Sequence, residues 1–349
     1  MSSYTETRVD VAEFEELRLG DAFPLPIDDM SLAHQLGIHG KTLWWAIGAK
    51  DKLYKTFKMP KRGKAGRYRE IQNPADKLKD IQKNILVRFL ELIAVGKHVG
   101  AYIPHRGCKD TAVQHVGQAV IISLDLEDFF PSVRRSMIRK YLHKAIGYNH
   151  LVSSLLADLM TYTYFVPQGA PTSGLISNLV ADYLFDQKIL EELSKRDPKW
   201  VYTRYSDDID ISHPETQPDE KLLEIIEMVR ATTRRAGFLL NQAKTKIEPK
   251  WDRQKVLGMV VNTKVNIPRL EYERVRSIIH NCFVHGFDNQ YERAELSSVA
   301  GLKSHIRGKL AYYKNIDPVK TQRLKDKFDL ACQIHHKPNM AENEVRFDE

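Results

Sequence analysis

One short segment constrains the fold more than any other: an almost continuous apolar run from Ala119 to Leu124 that ends in Asp125. A run of this length and composition predicts a central strand that is buried on both faces, or nearly so. A carboxylate at the end of such a strand is costly unless a partner or an ion compensates its charge. The residues that follow predict a tight exit into a helix from about Arg134.

A second acidic position lies in the segment WVYTRYSDDIDIS, residues 200–212. β-Branched and aromatic residues predominate up to Tyr205, and Ile209 and Ile211 then alternate with polar residues. This pattern predicts two short strands joined by a tight turn. The neighbouring carboxylates of Asp207 and Asp208 repel each other at that turn. Either water solvates the pair, or a divalent cation is held there, because hard cations take carboxylate oxygens as ligands.

The same alternation assigns Ile209 and Ile211 to the core and leaves Asp210 as an ordinary surface charge. If the strand that ends in Asp125 lies beside this hairpin, three carboxylates converge at one end of the sheet. Such a cluster suits two divalent ions, which stabilise the attacking and leaving oxygens of an in-line phosphoryl transfer.

The charge balance of the chain favours a polyanionic partner. The chain has 349 residues, enough for one large domain or two to three lobes, and a formal net charge of +8. Residues 1–30 contain eight acidic and two basic side chains, a net charge of −6, which leaves +14 for the rest. Three cysteines without C-x-x-C spacing favour a reducing cytosol. No apolar run approaches the length of a membrane span, so we expect a cytoplasmic protein with no membrane partner.

Basic residues dominate the segment from Lys50 to Glu70, where nine Lys and Arg face two acids. Gly63 and Gly66 lie inside this segment, which predicts a β-hairpin with a flexible basic tip. The tip is either a solvated charged loop or a finger that grips phosphate groups.

Helical patterns flank these strands. Asn73 and Pro74 predict a helix start, with Asn73 as the N-cap. An apolar stripe then follows at helical spacing, formed by Leu78, Ile81, Ile85, Phe89 and Leu92. The loop 167–174 is rich in glycine and proline and predicts the start of a long helix near Thr172 or Ser173, a place where a phosphate group could bind. Residues 222–236 predict an amphipathic helix, residues 256–261 a short strand, and the chain from about Pro268 a mainly helical region.

The order of these motifs resembles that of the reverse transcriptases. The matching segments are LDLEDFFPSV at 124–133, PQGAPTSGLISN at 167–178, YSDD at 205–208, NQAKTKI at 241–247, VLGMVVN at 256–262 and RYREIQNP at 67–74. The resemblance covers roughly residues 55–265. It implies an α+β fold of the right-hand polymerase type, with fingers, a palm built on an antiparallel sheet and a helical thumb.

The resemblance also implies roles for the acidic residues. Asp125 and Asp207 would bind two Mg²⁺ ions, with Asp208 completing the cluster and the Leu126 carbonyl as a further ligand. Phe130 lies where the family has a bulky ring that excludes a ribose 2′-hydroxyl, so dNTPs are the expected substrates.

Other residues would bind the nucleotide in this resemblance. Gln168 would line the nucleotide pocket beside the Gly169 backbone. Three basic residues would clamp the triphosphate, namely Arg69 with help from Lys61 or Lys64. Lys244 would assist the departure of pyrophosphate.

Among the reverse transcriptases, the chain is most similar to the bacterial retron type. That type has an Asn-Ala-x-x-His signature, which corresponds here to CKDTAVQHVG at 108–117, with Thr111 in place of Asn and His115 retained. The candidate RNA contacts are therefore Thr111 and His115, the triplet Val256, Leu257 and Gly258 where retrons have Val-Thr-Gly, and Arg307 in RGKLAYYKNIDP. Ser173-Gly174 replaces the Ser-Pro of many relatives, a change expected to alter loop rigidity more than chemistry.

The resemblance predicts three regions: an acidic extension at 1–30, fingers and palm at 31–255, and a helical, RNA-binding thumb at 256–349. The fingers would comprise mainly 31–118 and part of 132–172. A retron enzyme would copy part of a structured non-coding RNA from an internal guanosine 2′-hydroxyl and keep the branched RNA–DNA product bound. A separate effector protein in anti-phage defence is the implied partner. Two alternatives remain: a stand-alone defence-associated reverse transcriptase without a retron RNA, and a catalytically idle RNA-binding scaffold.

Overall fold

The computed structural model describes residues 25–60, 66, 68–288, 290–294 and 296–335. Most of the acidic extension, together with Lys61 and Lys64, lies outside these residues. The chain divides into two compact units. The first comprises Met1–Thr111 and Ala119–Glu248, and the second comprises Ala112–Gln118 and Pro249–Glu349.

The first part of the chain combines helices with short strands. Its helices are α1 (Asp29–Leu36), α2 (Gly40–Ala49), α3 (Asp76–Ile85), α4 (Cys108–Ala112), α5 (Phe129–Ser132), α6 (Arg135–Tyr141), α7 (His150–Leu159), α8 (Ser173–Ala181), α9 (Gln187–Arg196) and α10 (Asp219–Arg235). Its strands are β1 (Tyr54–Pro60), β2 (Tyr68–Pro74), β3 (Val120–Asp125), β4 (Val201–Tyr205), β5 (Asp208–His213) and β6 (Lys246–Pro249).

The later part of the chain is mainly helical, as expected from Pro268 onward. It contains β7 (Lys255–Val256), β8 (Met259–Val260), α11 (Arg269–His285), α12 (Gln290–Arg293), α13 (Val299–Ile316) and α14 (Pro318–Ile334). The prediction of a single strand at 256–261 was wrong, because this segment forms a hairpin. Leu257 and Gly258 have φ angles of 50° and 79°, which make a two-residue turn and fold the segment into the hairpin β7–β8.

A four-stranded sheet with the order β4-β5-β3-β6 forms the centre of the first unit. The apolar run predicted as a central strand is β3, which lies between β5 and β6, and Ile121 and Ile122 are fully buried. The predicted hairpin is β4 and β5, which pair antiparallel. The sequence therefore predicted the centre of this sheet correctly.

Both faces of this sheet are buried at β5. Ile209 and Ile211 are fully buried, as predicted, but Asp210 is only 4% exposed, so its prediction as a surface charge was wrong. Asp210 lies opposite Ser123 in the ladder and accepts a 2.6 Å hydrogen bond from the Ser123 hydroxyl. Burial, with the negative charges of Asp208 and Glu248, raises the pKa of Asp210 to about 7, against the lowering effect of that hydrogen bond.

The two strands of the predicted basic hairpin are confirmed as the antiparallel pair β1–β2, and most of its predicted basic tip lies outside the described residues. The following helix starts later than predicted, because Asn73 and Pro74 remain in the ladder opposite Lys55 and Tyr54. α3 begins at Asp76 with Ala75 as its N-cap.

The stripe on α3 packs into the core as predicted, with one exception. Leu78, Ile81, Ile85 and Phe89 are buried, each burial contributing about 1.5–3 kcal/mol. Leu92 is 48% exposed, because α3 passes into a π-helical turn at Leu86–Leu90 and ends before Leu92 can return to the apolar face.

The raised pKa of Asp210 predicts a pH-dependent stability. An acid whose pKa is higher in the folded than in the unfolded state destabilises the folded protein as it ionises. This loss of stability is absent at pH values below the unfolded-state pKa, and it grows with pH until the pH exceeds the folded-state pKa. Asp210→Asn keeps an acceptor for Ser123 and removes the charge. The variant should gain stability relative to the unmutated protein, and this gain in the free energy of unfolding should be about 2 kcal/mol larger at pH 8 than at pH 5.5. Denaturant unfolding in EDTA at both pH values measures this difference, and an equal effect at the two would contradict it.

Candidate active site

The register of the sheet brings the three predicted carboxylates to one end. Asp125, the last residue of β3, is the direct partner of Asp208, the first residue of β5. Side chains opposite each other in an antiparallel pair have Cβ atoms roughly 4.5–5.5 Å apart. Asp207 lies in the turn before β5, and its carbonyl accepts a 2.8 Å hydrogen bond from the N–H of Leu126. The backbones of the two acidic segments are therefore tied directly together.

Asp125 is compensated by Lys244. Asp125 is 6% exposed, and its Oδ2 accepts a 2.5 Å hydrogen bond from Lys244 Nζ. Lys244 ends the short 3₁₀ turn Gln242–Lys244, and this turn is anchored because the Asn241 N–H donates to the Asp125 carbonyl at 2.8 Å. The buried acid at the end of β3 thus has the partner that its position requires.

The pKa of Asp208 reflects both lost hydration and the nearby negative charges. Partial loss of hydration, together with the charges of Asp207 and Asp125, raises the pKa of Asp208 to about 6, although Lys244 lowers it. Three carboxylates with a single lysine leave an excess of negative charge that a divalent cation would neutralise. The donor set therefore fits a divalent metal site.

A different trio of potential metal ligands has closely spaced donor atoms. Within the residues that the structure describes, His98, Asp182 and Asp186 are the only group of three potential ligands whose donor atoms all lie within 4.8 Å of one another. Asp186, however, already accepts hydrogen bonds from Tyr202 and Arg204, and His98 Nε2 lies 2.7 Å from Asp182 Oδ1. These internal partners identify the trio as a largely buried polar network.

Arg204 is the centre of that network and was missed by the sequence analysis. It is fully buried, and its guanidinium donates to both carboxylate oxygens of Asp186, with the shortest bond at 2.7 Å. Its Nη1 also donates to Asn178 Oδ1 at 2.7 Å and to the carbonyl of Ser206 at 3.1 Å. Ser206 has a φ of 61°, an uncommon conformation for a residue other than glycine. Arg204 therefore braces the turn that presents Asp207.

The predicted nucleotide residues Phe130, Gln168 and Gly169 line a single cavity of about 510 Å³. The Gln168 N–H donates to Gln72 Oε1 at 2.9 Å, and its carbonyl accepts from the Gln72 N–H at 3.0 Å. Gly169 has a φ of 137°, and a Cβ there would lie 2.9 Å from the Gln72 carbonyl oxygen, so only glycine fits. The loop is thus fixed against β2.

The structure does not test the basic residues predicted to bind the triphosphate, but it places two of them. Arg69 is an exposed residue of β2 opposite Met59, and Lys61 and Lys64 lie outside the described residues. Lys244 is 45% exposed at its side chain and contacts Asp125. Neither Arg69 nor Lys244 belongs to the described lining of the 510 Å³ cavity.

The candidate RNA contacts divide into buried and exposed residues. Thr111 is 2% exposed, and His115 and Val256 are fully buried. Burial lowers the pKa of His115 to about 4, which keeps the ring neutral at physiological pH. Gly258 and Arg307 are exposed, while Leu257 is half-buried, and Arg307 also lies 5.9 Å from the Phe328 ring centroid.

Comparison with known proteins identifies the class of enzyme. The sequence model of the family described as "Reverse transcriptase (RNA-dependent DNA polymerase)" matches residues 59–261. The chain therefore belongs to the reverse transcriptase family, and it is an RNA-directed DNA polymerase with an RNA template and a DNA product. Polymerases of this family use divalent metal ions.

Similar curated proteins narrow the class to the retron type. The chain is 30% identical over 299 residues to the retron Ec86 reverse transcriptase of Escherichia coli, covering 85% of this chain and 87% of that protein. It is 32% identical over 293 residues to the retron Mx65 reverse transcriptase of Myxococcus xanthus, covering 78% and 63%. It is 27% identical over 296 residues to the retron Se72 enzyme of Salmonella heidelberg, covering 84% and 77%. Within the described residues, no helix is long and apolar enough to cross a membrane.

The Arg204 network predicts a large and specific loss of stability. Arg204→Met leaves the Asp186 carboxylate buried without its counter-charge, which should cost about 3–5 kcal/mol in the free energy of unfolding. Arg276→Met is the matched control, because Arg276 is 60% exposed at its side chain and pairs with Glu273 at the surface. It should cost less than about 1 kcal/mol. Equal losses in urea unfolding would contradict the bracing role of Arg204.

Proposed function

We propose that this enzyme is a right-hand polymerase whose palm is the β4-β5-β3-β6 sheet and whose catalytic centre is the acidic end of that sheet. The observation that carries this proposal is the pairing of Asp125 with Asp208 across β3 and β5, with Asp207 in the adjoining turn. The fingers would comprise mainly 31–118 with part of 132–172, and the thumb residues 256–349. Between 256 and 335, 13 Lys and Arg exceed 8 Asp and Glu, a balance suited to a nucleic-acid backbone.

Asp125 and Asp207 would hold two Mg²⁺ ions, with Asp208 and the Leu126 carbonyl completing the donor set. When bound, such ions lower the pKa of a primer hydroxyl and neutralise charge that develops on the triphosphate. The carboxylates fix the position of this chemistry, because β3 and β5 hold them in register. Lys244 neutralises Asp125 and would act as a charge or proton donor when pyrophosphate leaves.

The nucleotide would occupy the cavity lined by Phe130, Gln168 and Gly169. Gln168 offers a side-chain amide, and the Gly169 backbone permits a close approach. The Phe130 ring would exclude a ribose 2′-hydroxyl and so select dNTPs. Arg69, with Lys61 or Lys64, would bind the triphosphate from the basic hairpin.

The similarity to retron reverse transcriptases supports a more specific activity. The enzyme would copy part of a structured non-coding RNA in the cytoplasm, starting from an internal 2′-hydroxyl, and keep the branched RNA–DNA product bound. Gly258 and Arg307 are exposed and would contact the RNA directly. Thr111, His115, Val256 and Leu257 would act mainly by shaping the surface around it, since three of them are buried. A separate effector protein in anti-phage defence would complete the system.

Removal of the turn carboxylates tests the catalytic assignment. Asp207→Ala combined with Asp208→Ala should abolish Mg²⁺-dependent dNTP incorporation on a primed RNA template, by at least about 10³-fold, because the metal donors are lost. Asp80→Ala is the control, since Asp80 forms only an exposed pair with Lys83 on α3. Incorporation that survives in the double variant would refute the assignment. A lack of incorporation by the unmutated protein on every template would favour the scaffold alternative.

The nucleic acid recovered with the enzyme from its native host separates the retron from the stand-alone alternative. The retron proposal predicts one short structured RNA joined to DNA by a 2′–5′ branch, detected as a product that a debranching enzyme resolves into RNA and DNA. DNA of random or untemplated sequence without a branch would refute the retron activity and leave the polymerase assignment intact.

A further inference from the structure

Tyr102 borders the cavity that Phe130 and Gln168 line, and it has an unusual conformation. Its φ is 56°, in the left-handed region that residues other than glycine and asparagine rarely adopt. Its ring centroid lies 5.9 Å from that of Phe130, with the ring planes tilted by 60°. A bulky residue held in this conformation requires surroundings that enforce it.

Gly174 provides the space in which the Tyr102 ring lies. A Cβ placed on Gly174 would be 2.4 Å from Tyr102 Cγ, 2.6 Å from Cδ1 and 2.9 Å from Cβ. Non-bonded carbon atoms do not approach each other this closely, so any larger residue at 174 would displace the tyrosine. Gly174 is the second residue of α8 and has no positive φ, so its backbone would tolerate alanine. The requirement for glycine comes from the ring alone.

The replacement of Ser-Pro by Ser173-Gly174 therefore has a consequence beyond loop rigidity. Proline at 174 would also introduce a Cβ into the space that the ring occupies. The tyrosine and the glycine form a matched pair within the first unit, one filling the volume that the other leaves open.

The Tyr102 ring in turn confines Phe130. Phe129 is also an aromatic neighbour of Phe130, with ring centroids 5.6 Å apart. Phe129 is 4% exposed, and the Arg204 guanidinium lies 5.4 Å from its ring centroid, so this side is anchored in the core. Tyr102 is 51% exposed, and it lies beside Phe130 in the lining of the cavity. Without it, Phe130 could move into space that is now filled.

We propose that Tyr102 is a positioning residue for Phe130, that Gly174 admits its ring, and that the pair sets how strongly the enzyme prefers dNTPs to rNTPs. This inference rests on the proposed role of Phe130 as the barrier to a 2′-hydroxyl. Such a barrier works only if its ring cannot yield, because a displacement of about 1 Å changes a rate by about 100-fold in a positioned site. The tyrosine hydroxyl has no part in this role.

The experiment measures kcat/KM for a dNTP and for the matching rNTP on one primed RNA template. Tyr102→Phe retains the ring and should keep the ratio of the two values. Tyr102→Gly removes the ring while accepting the left-handed φ, and should lower the ratio by about tenfold or more, mainly through better use of the rNTP. Gly174→Ala should lower the ratio as well, because the new methyl group displaces the ring.

The double variant Tyr102→Gly with Gly174→Ala provides a direct test of the pairing. Once the ring is gone, the added methyl group meets none of the three atoms that it would otherwise meet. The double variant should therefore match Tyr102→Gly in nucleotide preference. It should also recover the thermal stability that Gly174→Ala loses in the presence of Tyr102. Gly48→Ala on α2 is the control, because its added Cβ meets no heavy atom within 4 Å apart from its chain neighbours and the backbone of its own helix.

Three results would overturn the inference: a Gly174→Ala variant as harmless as Gly48→Ala, a Tyr102→Gly variant with an unchanged nucleotide ratio, or a Tyr102→Phe variant that loses selectivity. Phe130→Ala distinguishes this failure from that of the proposed function. If Phe130→Ala admits rNTPs while Tyr102→Gly does not, only the positioning role of Tyr102 falls. If Phe130→Ala leaves sugar selectivity unchanged, the assignment of Phe130 falls and the inference falls with it.

Discussion

The antiparallel register of β3 and β5 is the constraint on which the site depends. Leu124 pairs with Ile209 on one face of the sheet, and Asp125 pairs with Asp208 on the other. A slip of one residue would exchange the two faces and separate the carboxylates. Burial of the apolar pairs therefore holds the acidic pair in place. The hydrophobic core and the candidate metal site are two consequences of one ladder.

This arrangement concentrates negative charge along one face of the sheet. A small number of basic side chains compensate it. Burial is the main reason why the pKa values of Asp208 and Asp210 are both raised, and the placement of Asp125, Asp208 and Asp210 on the same face adds to the effect. Lys244 compensates Asp125. Arg204 lies in β4 and binds Asp186 while it holds the Ser206 carbonyl. One arginine thus neutralises a buried acid and supports the turn that carries Asp207.

The sequence predicted what depends on local pattern and on the order of motifs. The apolar run before Asp125, the hairpin around Tyr205 and the helix that ends before Gly237 all follow from residue type and period. Alternation shows which side chains share a face of a strand, but it does not show what covers that face. For this reason Asp210 was assigned to solvent and is buried.

The residues that the sequence did not reveal act through distant contacts. The only signal for Arg204 was a charged residue within the strand pattern VYTRY, and its partner Asp186 lies 18 residues earlier. The pairing of Tyr102 with Gly174 joins positions 72 residues apart in the sequence, and no periodicity connects them. The helix start at Asn73 failed because ladder pairing with Lys55, a tertiary interaction, outweighed a good capping signal.

The paired ends of β3 and β5, where Asp125 lies opposite Asp208, are the proposed divalent metal site. Titration of the folded protein with Mn²⁺ tests this metal site independently of catalysis. Binding is monitored by electron paramagnetic resonance as a decrease in the signal of the free ion. We expect saturable binding in the unmutated protein and in Asp80→Asn. Binding should be at least tenfold weaker in Asp125→Asn, because a carboxylate ligand is lost. Equal Mn²⁺ affinity in all three proteins would rule out a metal site at these strand ends.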